Sequence, residues 1–151
     1  MAIRRLKRIL EPEKEGIIEA LKAFLQSREE IVFALLYGSL VNPEFPGKYG
    51  DIDIALYVRS EQLVAPNYVF ESKIEAEAYH LLSSRGLGLL PVEVSLINHA
   101  PYPFIVKLFK GGYIILKEDE DVLTDFIDEI GRESMDNSHL RSESLRELLE
   151  V

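Results

Sequence analysis

The chain has 151 residues, 47% hydrophobic and 28% charged, enough for one apolar core and the ordinary balance of a globular domain. Its formal net charge of −9 argues against nucleic acid as the main partner, since phosphate contacts need clustered cations, and fits a basic protein better. It contains no cysteine, so a disulfide framework and a thiolate metal site are both excluded, and no apolar run approaches the length of a membrane span.

The first residues, MAIRRLKRILEP, interleave Arg4, Arg5, Lys7 and Arg8 with Ile3, Leu6, Ile9 and Leu10. No apolar core follows them, so they are expected to open the fold, or to touch a phosphate or partner, and not to serve as a secretory signal. A cytoplasmic setting is expected. Residues 12–27 predict a helix: Pro12 suits a first turn, and Ile17, Ile18, Leu21, Phe24 and Leu25 form an apolar stripe. The run IVFALLY at 31–37 predicts a buried strand, and IALYV, within 52–58, a second. Between them Gly38-Ser39 opens a loop shaped by Pro43, Pro46, Gly47 and Gly50.

A long helix is expected at 67–84, with Phe70, Ile74, Tyr79, Leu81 and Leu82 as its core side chains. Residues 92–97 predict a third strand. Pro101 and Pro103 start a helix that Gly111-Gly112 stops after Lys110, and 113–116 predict a short fourth strand. From about 117 to 151 the chain is acidic. Val122, Leu123, Phe126, Ile127 and Ile130 are spaced for a helix, with Leu140, Leu145, Leu148 and Leu149 as a second helical face. The whole predicts a single α/β domain, a small mixed β-sheet flanked by helices, with a helical acidic C-terminal region at about 117–151.

Chemistry concentrates in YGSLVNPEFPGKYGDIDIALYV. Asp51 and Asp53 are one residue apart at the start of a strand, so their side chains share a face. Neighbouring carboxylates repel unless a cation lies between them, and hard oxygen ligands suit Mg²⁺ or Mn²⁺. The alternative is a solvated strand entry or turn cap after Gly50. Eleven residues separate Ser39 from Asp51. Gly38-Ser39 offers a tight turn, backbone N–H groups and a hydroxyl, all suited to a phosphate, where an ordinary turn is the alternative. The two motifs meet only if strands one and two run antiparallel. Glu93 begins strand three, which should then run parallel to strand two with the long helix as crossover. The three histidines, His80, His99 and His139, have no ligand spacing, and His80 is expected to pack or cap.

The GS…DxD arrangement resembles that of the DNA polymerase beta superfamily of nucleotidyltransferases, and the short length resembles its minimal, MNT-type branch. That family has a third carboxylate on a later strand, ahead of a "Leu, any, Asn, any, Ala" ending; here PVEVSLINHAPYP places Glu93 five residues before Asn98. The resemblance covers roughly residues 15–130 and implies a nucleotidyltransferase fold, with Asp51, Asp53 and Glu93 binding Mg²⁺ or Mn²⁺. It also implies that Gly38 and Ser39 hold the phosphates of ATP. A salt-bridge partner or strand-end cap is the other role open to Glu93. Leu40 and Val41 stand where family members often carry basic residues, and Lys48 is the candidate to supply that charge.

The resemblance further implies transfer of AMP from ATP to a hydroxyl, with a HEPN-family ribonuclease toxin as partner and one of its tyrosines as acceptor. No segment is evident that would grip a nucleic acid or a base. Two alternatives stay open: an inert antitoxin that blocks its toxin sterically, and nucleotidyl transfer to a small molecule. A second copy of the chain is a further possible partner for the C-terminal leucines.

Overall fold

The computed structural model describes residues 7–9, 11–43, 47–64, 68–87 and 90–136. The elements run β1 (Lys7–Arg8), α1 (Glu11–Gln26), β2 (Ile31–Tyr37), a 3-10 turn (Gly38–Leu40), β3 (Lys48–Tyr49) and β4 (Ile52–Val58). A second 3-10 turn (Glu61–Leu63), α2 (Val69–Ser84), β5 (Val92–Leu96), α3 (Tyr102–Lys110), β6 (Ile114–Lys117) and α4 (Glu120–Asp136) follow.

Four strands form one sheet in the order β5-β4-β2-β6. β2 is antiparallel to both β4 and β6, and β5 is parallel to β4. A hairpin-scale connection can join antiparallel β2 and β4, whereas parallel β4 and β5 need the crossover that α2 provides. The sheet is therefore mixed, as the placement of the two motifs requires. The ribbon of β1 and β3 is a separate antiparallel pair that the sequence did not predict. Lys7 and Arg8 are half of it, while Arg4 and Arg5 lie outside the described residues.

Central strands buried on both faces read as continuous apolar runs, and β2 is buried from Ile31 to Leu36. One face of the sheet presents Leu36, Ile52, Ile54 and Leu56 to Leu21 and Leu25 of α1 and Ile74 and Leu82 of α2. The other presents Phe33, Leu35 and Ala55 to Ile105 and Leu108 of α3 and Leu123 and Phe126 of α4. Phe33 is fully buried, stacked on Tyr57 at 5.0 Å between ring centroids and edge-on to Phe126 at 5.7 Å. Burial of such a side chain contributes roughly 1.5–3 kcal/mol.

Several expected packing residues lie elsewhere. The buried stripe of α2 is Glu71, Ile74, Ala78 and Leu82, and Tyr79 is exposed. Successive buried positions three or four apart fix the helix rotation, and Tyr79 then falls on the outer face. His80 is exposed, neither packed nor buried. Ile127 of α4 is also exposed, because Leu123 and Phe126 take the contact with the sheet. Among the described residues no helix is long and apolar enough to cross a membrane. The leucines from 140 onward lie outside the described residues.

Candidate active site

The site is assembled where β2 ends and β4 and β5 begin. At the end of β2 the chain must turn sharply, and Gly38 does so at φ +79°, the left-handed region that a side chain disfavours. The turn is closed by the Val41 and Asn42 N–H groups, which donate to the Gly38 carbonyl at 3.1 and 2.8 Å. Ser39 then ties this turn to the entry of β4. Its Oγ accepts from the Gly50 N–H at 3.2 Å and lies 3.5 Å from the Asp51 carbonyl, to which it donates. These contacts hold the backbone that carries Asp51.

Asp53 stands opposite Tyr37 across the β2–β4 pair and level with Glu93 across the β4–β5 pair. Directly opposed residues share a face, so Tyr37, Asp53 and Glu93 project on the same side of the sheet. Asp51 joins them from two residues upstream, with buried Ile52 turned to the other side. One carboxylate oxygen from each of Asp51, Asp53 and Glu93 lies within 4.8 Å of the others. The two aspartates are half-buried and Glu93 is exposed. Three hard oxygen donors at this spacing fit a divalent cation such as Mg²⁺ or Mn²⁺. Gly38 forms the wall behind them: a β-carbon there would stand 3.0 Å from Asp53 Cγ and closer still to its Oδ2.

The register that lifts Glu93 beside Asp53 is fixed at both ends of β5. The Ile52 N–H donates to the Pro91 carbonyl and the Ile97 N–H to the Leu56 carbonyl, both at 2.9 Å. Asn98 completes the hold. Its Oδ1 accepts from the Val58 N–H at 2.9 Å, and its Nδ2 donates to the Val58 carbonyl at 2.8 Å. The asparagine of the ending LINHA thus does the work of one more strand residue, pinning β5 to β4. A slip of one residue would turn Glu93 to the opposite face.

Tyr37 is the site residue that sequence reasoning missed, absorbed there into a buried strand. Its hydroxyl hydrogen-bonds with the Ser95 side chain, and its ring meets Phe104 edge-on at 6.0 Å. Burial, above all, raises the phenol above its ordinary 10.0; the charges of Asp53 and Glu93 add to this and the Ser95 hydrogen bond opposes it. The tyrosine therefore stays protonated beside the acids. Its position next to Gly38, and Ser95 two residues beyond Glu93 on the same face, were the available signals.

On the far side of Glu93 stands Glu75 of α2. Its carboxyl is raised above 4.5 by burial first and by the Glu93 charge next. Hydrogen bonding with the Val94 backbone opposes the rise and Glu71 adds to it. The structure thus brings Gly38, Ser39, Asp51, Asp53 and Glu93 into one place, as expected. Lys48 lies in β3, its backbone paired with Arg8.

The family profile described as polymerase beta, nucleotidyltransferase matches residues 19–121. No curated protein sequence matches the chain. Solved structures share its fold at low identity. One is the tri-AMPylated Shewanella oneidensis HEPN toxin in complex with MNT antitoxin, at 14% identity and a TM-score of 0.55 over 92% of this chain and 98% of that chain. Another is a toxin–antitoxin with AMP-PNP, at 13% identity and a TM-score of 0.57 over 90% of this chain and 98% of that chain. A third is the MntA–HepT toxin–antitoxin, at 13% identity and a TM-score of 0.51 over 93% and 99%. With the profile match spanning more than half of its length, the chain belongs to the polymerase beta nucleotidyltransferase family.

Proposed function

We propose that the chain transfers AMP from ATP to a hydroxyl group, and that the acceptor is a tyrosine of a HEPN-family partner toxin. The observation that carries the reading is the convergence of Asp51, Asp53 and Glu93 against the Gly38 turn. Family membership supports the class of reaction. The nucleotide and acceptor are supported by solved neighbours that contain AMP-PNP in one case and a tri-AMPylated HEPN toxin in another.

In this reading Asp51, Asp53 and Glu93 hold Mg²⁺ or Mn²⁺, which when bound screens the charge of the phosphates. Gly38 and Ser39 face the terminal phosphates, and Lys48 is a further candidate contact. Glu93, the exposed acid of the three, takes the proton of the acceptor hydroxyl. The hydroxyl oxygen bonds to the α-phosphorus. The bond to the bridging oxygen breaks, and pyrophosphate leaves with that electron pair. Tyr37, kept protonated, donates or accepts a hydrogen bond without adding a third negative charge between Asp53 and Glu93.

The test is incubation of the chain with ATP, Mg²⁺ and a HEPN partner, followed by mass spectrometry of the partner. A gain of one or more AMP groups on tyrosine, lost in Asp53→Asn, is the expected result. A stable complex with no mass gain would return the reading to a steric antitoxin.

A further inference from the structure

Between α2 and the entry to β5 lies a cavity of about 540 Å³, large enough to hold several side chains of another molecule. Ser72, Glu75, Ala76 and Tyr79 of α2 form one wall, and Pro91 and Val92 the other. Val69, Ser72, Ala76 and Tyr79 recur three or four residues apart, so they share one face of the helix, and all four are exposed. Among the described residues the exposed large apolar side chains are Tyr68, Val69, Tyr79 and Ile127. Three of these four stand at the start of α2 or on this face. Apolar side chains gathered on one exposed face mark an interaction surface, and tyrosines are favoured anchors there.

Charge and strand order say what the surface takes. Glu75 is the one charged side chain in the described wall of the cavity. It hydrogen-bonds with the Val94 backbone and is near enough to Glu93 for the two charges to interact. Neither carboxylate has an ion-pair partner among the described residues. A basic segment entering this groove meets two carboxylates, whereas an acidic one is repelled. The Gly38 turn follows β2, the aspartates begin β4, and Glu93 begins β5, on the side of β4 away from β2. With the departing pyrophosphate at the Gly38 turn, an in-line displacement brings the incoming hydroxyl from the opposite side. That side is the outer edge of β5, where the groove lies.

We propose that the groove between α2 and β5 docks the acceptor segment of the modified protein, with an apolar residue against Tyr79 and Val92 and a lysine or arginine beside the acceptor hydroxyl paired with Glu75. The proposal rests on the nucleotidyl-transfer reading and gives that reaction its protein-acceptor surface. Glu75 then determines specificity: it touches the acceptor segment but no reacting atom. The exposed tyrosines of α2 become covered only when the acceptor is in place.

The experiment measures AMP transfer from ATP with Mg²⁺ to the HEPN partner across a range of partner concentrations, for wild type, Ala76→Arg and Glu75→Gln. Arginine at 76 fills the groove from an exposed helical position. KM for the partner should rise about tenfold in Ala76→Arg and about threefold in Glu75→Gln, with kcat and the affinity for ATP with Mn²⁺ held within about twofold. Mass spectrometry locates the modified hydroxyl, and a lysine or arginine should stand beside it. Reversing that cation to glutamate should raise KM, and combining the reversal with Glu75→Lys should restore it. If Ala76→Arg lowers the melting temperature, the charge reversal decides the case alone. Unchanged KM in Ala76→Arg, with AMP transfer intact, means that the acceptor enters elsewhere and overturns this proposal alone. So does a modified hydroxyl with no cation beside it, or a reversal that Glu75→Lys fails to rescue. A fall in kcat and ATP affinity in place of a rise in KM also overturns it, because the groove residues would then act on the acids. If wild type transfers no AMP to the partner, the nucleotidyl-transfer reading itself fails and the groove loses its occupant with it.

Discussion

Gly38 and Asp53 occupy one space: the volume that a side chain at 38 would fill is where the Asp53 carboxylate stands. The fit has two layers. The backbone of Gly38 is left-handed, at φ +79°, and the carboxylate lies against its α-carbon. Gly38→Ala would both strain the turn, by about 1 kcal/mol, and push Asp53 out of line with Asp51 and Glu93. A displacement near 1 Å at a reacting centre lowers rates about 100-fold, and a loss of that order in AMP transfer is expected. Circular dichroism should show an intact fold. Near-normal activity in Gly38→Ala would mean that Asp53 can act from another position.

That relationship shows how far a sequence can be read. The antiparallel then parallel pairing of β2, β4 and β5 followed from one requirement: the Gly-Ser turn and the acids had to meet. Apolar runs such as IVFALLY made the strands visible. What was not legible depended on rotation and on residues with no chemical signature. The face of α2 is set by Ala78 as much as by leucines, so Tyr79 was misplaced. Tyr37 looked like one more buried strand residue until its register opposite Asp53 was seen. The β1–β3 ribbon is two residues long on each side, too short for any periodicity.

Glu71 is an acid within the apolar stripe of α2, 7% exposed, with its Oε1 lacking a hydrogen-bond partner among the described residues. Burying a polar oxygen without a partner costs about 1–3 kcal/mol. Its place in the first helical turn recovers about 0.3–1 kcal/mol through the dipole. Glu71→Met, similar in length and apolar, should raise stability by about 1 kcal/mol in chemical denaturation. A loss of stability in this variant would show that the carboxylate is used, not merely tolerated.

Glu75 gives the metal-free protein a distinct response to pH. Its carboxyl is raised above 4.5, so the folded chain holds that proton more tightly than the unfolded chain does. Stability from this group is full below pH 4.5 and is lost as pH rises through the folded value; above that it stays flat. Glu75→Gln should remove this downward step, leaving the variant less sensitive to pH in that window. Mn²⁺ at the neighbouring acids should shrink the difference in wild type by offsetting the Glu93 charge. Identical pH profiles for wild type and variant without metal would refute the coupling.

Ser39 should matter more for order at the DxD entry than a phosphate ligand alone would. Its hydroxyl accepts from the Gly50 N–H and faces the Asp51 carbonyl. Ser39→Ala removes both contacts, worth about 0.5–1.5 kcal/mol each when typical. Mn²⁺ affinity without nucleotide should fall by about three- to tenfold, in parallel with a modest drop in melting temperature. If metal binding is untouched while ATP binding weakens, the hydroxyl belongs to the phosphate and the loop holds itself.

The acidic outer face of α4 is proposed as the surface that steers a basic partner. Leu123 and Phe126 hold the helix to the sheet, while Asp121, Asp125 and Asp128 are exposed at four- and three-residue spacing along one side. A row of like charges raises association rates with an opposite partner and loses that effect in salt, since screening falls to about 3 Å at 1 M. Asp121→Lys/Asp125→Lys/Asp128→Lys should slow association with a HEPN partner about tenfold at low ionic strength, with little change in dissociation. At high salt the two proteins should associate at similar rates. Removal of residues 137–151, where the sequence spaces Leu140, Leu145, Leu148 and Leu149 for a helical face, should speed dissociation from that partner while leaving the melting temperature and Mn²⁺ binding unchanged. A lower melting temperature in the truncated chain would place that region in the domain's own core. Stopped-flow mixing of each variant with the partner across a salt series separates the two effects, and equal association rates for the triple variant at low salt would remove α4 from the docking surface.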